Sequence, residues 1–250
     1  MSRLFTFGCS YTKYPWGTWA DILGEEYDEF INLGQGGGGN EQIFFKIIQT
    51  NQKYNFKKDD TVAVCWTFHH RKDVYQINKW MPRPISLAKE RAKEHKQILD
   101  WFEKEDINPD EQWLKTLGYI NVMNTFIPTI CNYVCFSTID YGLGSSENAV
   151  KPWHNHETNK LFDHEINQFA TKNYDSTFNI SQDRDCKNRV SVDIRPANDN
   201  GGVDGHPTPK EHLYFLEHIM NITISESTKQ KVEEWEQKMQ PNHKYKRWLT

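Results

Sequence analysis

Apolar and polar positions follow two alternating periods along the first third of the chain. Leu4 to Phe7 is a short apolar run ending at Gly8, after which Trp19, Ile22 and Leu23 recur at helical spacing. Phe30 to Leu33 is a second short run, broken by the stretch Gly34 to Gly39. After Asn40, the positions Ile43, Phe44, Ile47 and Ile48 make one stripe of a helix. Thr61 to Trp66 (TVAVCW) is apolar enough for a strand buried on both faces. Strands separated by helices predict a three-layer α/β/α sandwich with a central parallel sheet, flavodoxin-like in kind.

Further along, Leu87, Arg91, Ile98, Leu99 and Phe102 follow a helix period in a stretch whose charges nearly cancel, which reads as a solvated outer helix. Asn108-Pro109-Asp110-Glu111 is a helix start, predicted to run to about Ile127 and to stop before Pro128. Tyr133 to Phe136 is a fourth strand. Residues 139–200 are rich in Asn, Asp, Ser and His with weak periodicity, apart from a short helix at Leu161 to Ala170; so long an irregular stretch is more often functional than idle. Thr208-Pro209-Lys210-Glu211 is a capping box, with Leu213, Leu216 and Met220 as the apolar face behind it. A last helix spans about Thr228 to Met239 and leads to a tail with Lys244, Lys246 and Arg247. The expected organisation is one domain over residues 1–250, with a helical and loop insertion at about 80–200 and a C-terminal helix and tail at about 225–250.

Composition narrows the classes. The chain has 250 residues and is 37% hydrophobic, yet 14% aromatic with nine Trp, so the core is expected to rest on large rings. Trp16, Trp19, Trp66, Trp80 and Trp153 include candidates for a sugar-stacking platform, although most Trp in such a chain must be core. A formal net charge of -4 argues against a nucleic-acid partner bound by broad phosphate neutralisation. No window of about 18 apolar residues predicts a membrane span, and the N-terminal run is too short for a secretory signal. Five cysteines without a C-x-x-C pair fit a reducing, cytoplasmic setting.

Three segments carry candidate chemistry. Gly8-Cys9-Ser10-Tyr11-Thr12 follows the first strand, where ligands of a parallel sheet bind. A serine there holds its Oγ near backbone N–H dipoles that favour a developing oxyanion; the plainer alternative is a helix-cap serine. Asn32 to Asn40 follows the second strand, and its glycines let backbone N–H groups approach a ligand closely. Asn40 stands at the next helix start as a side-chain donor or simply as its N-cap. Gly34, Gly36 and Gly39 also satisfy G-x-G-x-x-G, but Asp59 and Asp60 precede the next strand, whereas a ribose-binding acid follows it. A phosphate-binding P-loop is excluded, because Asn40-Glu41 stands where Lys-Ser/Thr is required. Val203-Asp204-Gly205-His206-Pro207 is the third segment. Residues two apart in an extended stretch share a side, so Asp204 and His206 can both face the sheet's carboxyl edge; the alternative is a helix-entry turn with a surface histidine. His154 and His156, with Asp163 and His164 nearby, have no second pair at ligand spacing, and no metal is expected.

Together these segments resemble the SGNH (GDSL-like) hydrolase superfamily. Gly8-Cys9-Ser10 stands where that family has Gly-Asp-Ser, and the first block is similar to the G-C-S-[YF]-T of compact phage and bacterial members. The resemblance implies Ser10 as nucleophile, with its own N–H in the oxyanion hole. It also implies Gly37 as a second donor, from the family's N-x-G-x-x-G spacing counted from Asn32, and Asp204 and His206 as the remaining triad members. It covers the first 70 residues and about 200–220.

Two departures stand out. The family's third block ends in Gly-x-Asn-Asp and its Asn is an oxyanion donor, whereas this chain reads Trp66-Thr67-Phe68-His69-His70-Arg71. By offset His69 falls at the Asn position, and Asn40, Thr67 or Arg71 can equally supply the contact; Thr67, His69 and Arg71 are thereby candidate substrate contacts. The last block is Asp-x-His where the family has Asp-x-x-His. The resemblance implies a cofactor-free serine esterase that removes a small O-acyl group, in the first instance acetyl, from a glycan or other small ester, in a cytoplasmic or virion-associated setting. The rivals are a non-catalytic carbohydrate-binding or structural protein on the same fold, an acyltransferase, and a nucleotide-binding enzyme using the glycine run.

Overall fold

The computed structural model describes residues 2–68, 71–73, 75–76, 79–80, 85–86, 109–138 and 206–238. In chain order these form β1 (Arg3–Phe7), α1 (Trp19–Gly24), β2 (Glu29–Asn32), α2 (Asn40–Tyr54) and β3 (Thr61–Trp66). Four two-residue strands follow: β4 (Arg71–Lys72), β5 (Tyr75–Gln76), β6 (Lys79–Trp80) and β7 (Ile85–Ser86). Then come α3 (Pro109–Phe126), β8 (Asn132–Ser137), α4 (Pro209–Tyr214) and α5 (Glu226–Lys238). The main sheet is parallel, in the order β2-β1-β3-β8; β4 with β7 and β5 with β6 make two small antiparallel ladders.

Alternation along the strands builds the two cores. Phe5, Phe7, Val62, Val64 and Trp66 face one side, where Ile43 and Ile47 of α2 and Leu117, Ile120 and Met123 of α3 cover them. Leu4, Ala63, Cys65 and Phe136 face the other, under Trp19, Ile22 and Leu23 of α1, Phe215 and Leu216, and Val232 of α5. The result is the expected α/β/α sandwich. All six residues of β3 are buried, and each large side chain so enclosed contributes roughly 1.5–3 kcal/mol. Trp16, Trp19 and Trp66 are at most 1% exposed, which removes them as a sugar-stacking surface.

The strand order positions the site. After β1 the chain moves outward to β2, and after β3 it moves the opposite way to β8. Loops leaving β1 and β3 therefore diverge and open a crevice at their carboxyl ends, and Phe7 lies level with Val64.

The stop of α3 before Pro128 agrees with the sequence expectation, whereas β4, β5, β6 and β7 are not among the expected strands and some details differ. Strand β2 is Glu29–Asn32, so Leu33 already belongs to the glycine loop. Helix α3 ends at Phe126, and Pro128 sits inside a 3-10 turn, Ile127–Thr129, whose tighter winding accommodates it. The helix starting at Pro209 widens into a π-helical turn, Phe215–Ile219, which sets both Phe215 and Leu216 against the sheet. The expected helix at 87–102, the irregular stretch 139–200 with its helix at 161–170, and the tail beyond 238 lie outside the described residues. So do Asp204, His69, His154, His156, Asp163, His164 and Trp153, and the side chain of Trp80. No helix among the described residues is long and apolar enough to cross a membrane.

Candidate active site

The loop after β1 is shaped by a close approach. A Cβ on Gly8 would meet Thr12 Oγ1 at 2.0 Å and the Cys65 carbonyl at 2.9 Å, so only glycine lets the chain turn there. The Cys9 carbonyl then accepts the N–H groups of Thr12 and Lys13, at 3.0 and 3.2 Å, closing a turn around Ser10. Two side chains anchor the far end of this turn, since the Thr18 hydroxyl and the Asn32 amide both donate to the Thr12 carbonyl, at 2.7 and 2.9 Å. Thr18 is also the N-cap of α1, in a capping box with Asp21.

His206 arrives from 196 positions away. It precedes Thr208, whose hydroxyl accepts the Glu211 N–H while Glu211 accepts the Thr208 N–H, so a local capping box sets where α4 begins. Its Nε2 lies 2.8 Å from Ser10 Oγ. That distance is a hydrogen bond, with the hydroxyl donating when Nδ1 carries the ring proton. Ser10 is 8% exposed, so the pair lies at the floor of the crevice. The sequence pointed to these two residues, and the fold brings them into contact.

The glycine loop is registered onto the same turn. The Gln35 N–H donates to the Gly8 carbonyl at 2.9 Å, and the Gly38 N–H to the Gln35 carbonyl at 2.9 Å. Gly37 sits at φ 76°, a backbone region that side chains resist. Among the described residues, the N–H groups of Ser10 and Gly37 are not donated to any intramolecular acceptor. Both can therefore serve a ligand oxygen.

Asn40 takes a different role from the expected oxyanion donor. It is not the N-cap but the first residue of α2, after Gly39. Its Nδ2 donates to the Thr67 carbonyl at 2.8 Å and to Thr116 Oγ1 at 3.2 Å, while its Oδ1 accepts the Thr67 N–H at 2.7 Å. Both amide hydrogens are thus directed at the end of β3 and at α3, because Thr67 continues a buried strand whose backbone groups need partners. Thr67 is itself fully buried and offers no surface to a substrate. Arg71, another candidate substrate contact, donates from Nη1 to the Gly38 carbonyl at 3.0 Å and lies over the Phe68 ring. Asp204 and His69 lie outside the described residues.

Several site residues were missed from sequence. The buried Asp73 carboxylate accepts the N–H groups of Gly39 and Gln42, both at 2.8 Å, and so caps α2 from outside its own segment. Burial pushes its pKa up to about 6 against the pull of those two hydrogen bonds, with Glu41 adding to the rise. Lys46 reaches back from α2 to Gln35 Oε1 at 2.8 Å and the Leu33 carbonyl at 3.3 Å. Burial, then the charge of Lys13, brings its pKa down to about 8, with Asp73 opposing. On the other side, Tyr11 and Tyr14 flank the His206 ring, and Trp16 Nε1 donates to the Pro207 carbonyl at 2.9 Å. Nothing in the local pattern signals these contacts; the only hint was the density of rings between Tyr11 and Trp16. Among the described residues, no group of three or more His, Cys, Asp or Glu is arranged to hold a metal ion.

No family model matches the chain, and no curated protein is similar to it. Among solved structures, it is similar to a member of the lipolytic protein G-D-S-L family from Veillonella parvula DSM 2008. The two are 11% identical with a TM-score of 0.44, over 89% of this chain and 100% of that one.

Proposed function

We propose that this chain is a serine esterase of SGNH type, working through a covalent acyl-enzyme. The observation that carries the reading is the 2.8 Å contact between Ser10 Oγ and His206 Nε2 in the crevice of a parallel sheet. A buried hydroxyl bonded to an imidazole, with the N–H groups of Ser10 and, on the adjoining loop, Gly37 having no acceptor among the described residues, is the arrangement that nucleophilic acyl transfer needs.

In this mechanism Ser10 Oγ attacks the ester carbonyl as its proton passes to His206 Nε2. The carbonyl π electrons move to the oxygen, and the resulting oxyanion is held by the N–H groups of Ser10 and Gly37. Collapse breaks the bond to the alcohol, which leaves with the proton from His206. Water then attacks the acyl-enzyme by the same route, His206 taking its proton and returning it to Ser10 as the acid departs. Asp204, two residues before His206, orients the imidazole through Nδ1. The substrate is a small O-acyl ester, in the first instance an acetyl group on a carbohydrate.

Hydrolysis of p-nitrophenyl acetate by wild type and Ser10→Ala tests the reading. The substitution is expected to lower kcat by at least about a thousandfold, and a fluorophosphonate probe should label the peptide carrying Ser10. Equal rates for the two proteins would instead favour a non-catalytic binding protein on the same fold.

A further inference from the structure

We propose that Tyr14 is the positioning residue for the general base: its ring face carries the His206 imidazole and stabilises the imidazolium formed when Ser10 gives up its proton. The proposal rests on the serine-esterase reading above.

The geometry is close and parallel. The Tyr14 and His206 ring centroids are 3.9 Å apart with their planes 20° from parallel. Tyr11 stands against the same imidazole at 5.2 Å and 47°. Behind Tyr14, the Trp16 ring meets it edge-on at 4.5 Å and 75°. Trp16 in turn donates from Nε1 to the Pro207 carbonyl, the residue next to the base. All three rings come from the loop that carries Ser10, and Pro15 restricts the backbone of Tyr14 to extended conformations.

Two consequences follow for catalysis. The Nε2 contact to Ser10 does not by itself fix the plane of the imidazole, and a parallel ring at van der Waals distance limits its rotation. The π face also carries negative quadrupole charge, so it attracts an imidazolium more strongly than a neutral imidazole. That interaction grows as the proton moves, and it therefore belongs to the transition state more than to the free enzyme. A phenyl ring supplies the same face, so the phenol oxygen is not required. The nucleophile's own loop thus holds the base, through the Tyr14 and Tyr11 rings and the Trp16 bond to Pro207.

The test is steady-state hydrolysis of p-nitrophenyl acetate by the full chain as wild type, Tyr14→Leu, Tyr14→Phe and Ser10→Ala. Competent sites are counted by fluorophosphonate labelling. Tyr14→Leu is expected to lower kcat per site about tenfold with KM within about twofold of wild type, while Tyr14→Phe retains about half or more of kcat. A Tyr14→Leu enzyme whose kcat per labelled site stays within about twofold of wild type would overturn the proposal, even while inactive Ser10→Ala upheld the esterase reading. Ser10→Ala as active as wild type would overturn both. Should Tyr14→Leu fail to fold, the ring protons of His206, assigned by comparison with His206→Gln, decide the matter in the wild-type protein. Resonances shifted upfield by the Tyr14 ring current support the stack, and their absence refutes it.

Discussion

The loop after β1 is tied down mainly by uncharged groups, whereas the loop after β2 is tied down by charged ones. Around Ser10, the Thr18 hydroxyl and the Asn32 amide brace the Thr12 carbonyl, and the rings of Tyr11, Tyr14 and Trp16 hold His206 and Pro207. Around Gly37, Arg71 holds the Gly38 carbonyl, Asp73 holds the Gly39 N–H, and Lys46 holds Gln35. Two of those charges titrate near neutrality, Asp73 at about 6 and Lys46 at about 8. The support of the expected oxyanion donor thus carries titrating groups on both sides of neutrality, while behind the brace around Ser10 stands a buried carboxylate, Asp21, which burial pushes up and which accepts from Thr18 and Asn32.

Gly37→Ala strikes the charged side most directly. Alanine at φ 76° costs about 1–2 kcal/mol, and the loop relieves it by turning the N–H away. With one oxyanion donor displaced, kcat is expected to fall about a hundredfold. Steady-state kinetics check this, and a kcat unchanged in a folded variant would remove Gly37 from the oxyanion hole.

Asp73→Asn sharpens the comparison through pH. The Asp73 carboxyl titrates at about 6 in the folded chain against an ordinary value of 3.8, so folding takes up a proton between those values. Its stability contribution is complete below the lower value and is lost as pH rises through the upper one. Measured against Asp73→Asn by urea unfolding, the wild type is expected to gain up to about 3 kcal/mol between pH 7 and pH 4. A constant difference across that range would show that Asp73 gives the glycine loop no pH response.

Trp16→Phe probes the neutral side and is the smallest of the three. It keeps a ring against Tyr14 but leaves the Pro207 carbonyl without its indole donor, a loss of about 1 kcal/mol. Melting temperature is expected to drop by a few degrees, with kcat reduced by about threefold or less and no change in the pH dependence of stability. A large kcat loss would mean that the aromatic brace acts on the base more strongly than a single hydrogen bond explains.

Local physics made part of this molecule legible in advance. The apolar runs at Leu4 and Thr61, the stripe Ile43, Phe44, Ile47 and Ile48, and the capping box at Thr208 each depend on neighbours a few residues away, so their patterns are written in consecutive positions. The placement of Ser10 after the first strand and of His206 before a capped helix followed from the same signals. Asn40 shows where that reasoning stops. Its residue type and position suit an oxyanion donor, yet both of its amide hydrogens are spent on Thr67 and Thr116, the latter 76 positions away.

The sequence by itself determined the order of the main-sheet strands and the helices packed on them, and the two ends of the Ser10–His206 pair, because periodicity and capping are short-range. Only the tertiary structure decided that Asp73 caps α2, that Arg71 grips the glycine loop, and that Tyr14 lies flat on His206. Those contacts join residues far apart in the chain, and their energies depend on burial and mutual orientation, which exist only once the sheet has assembled.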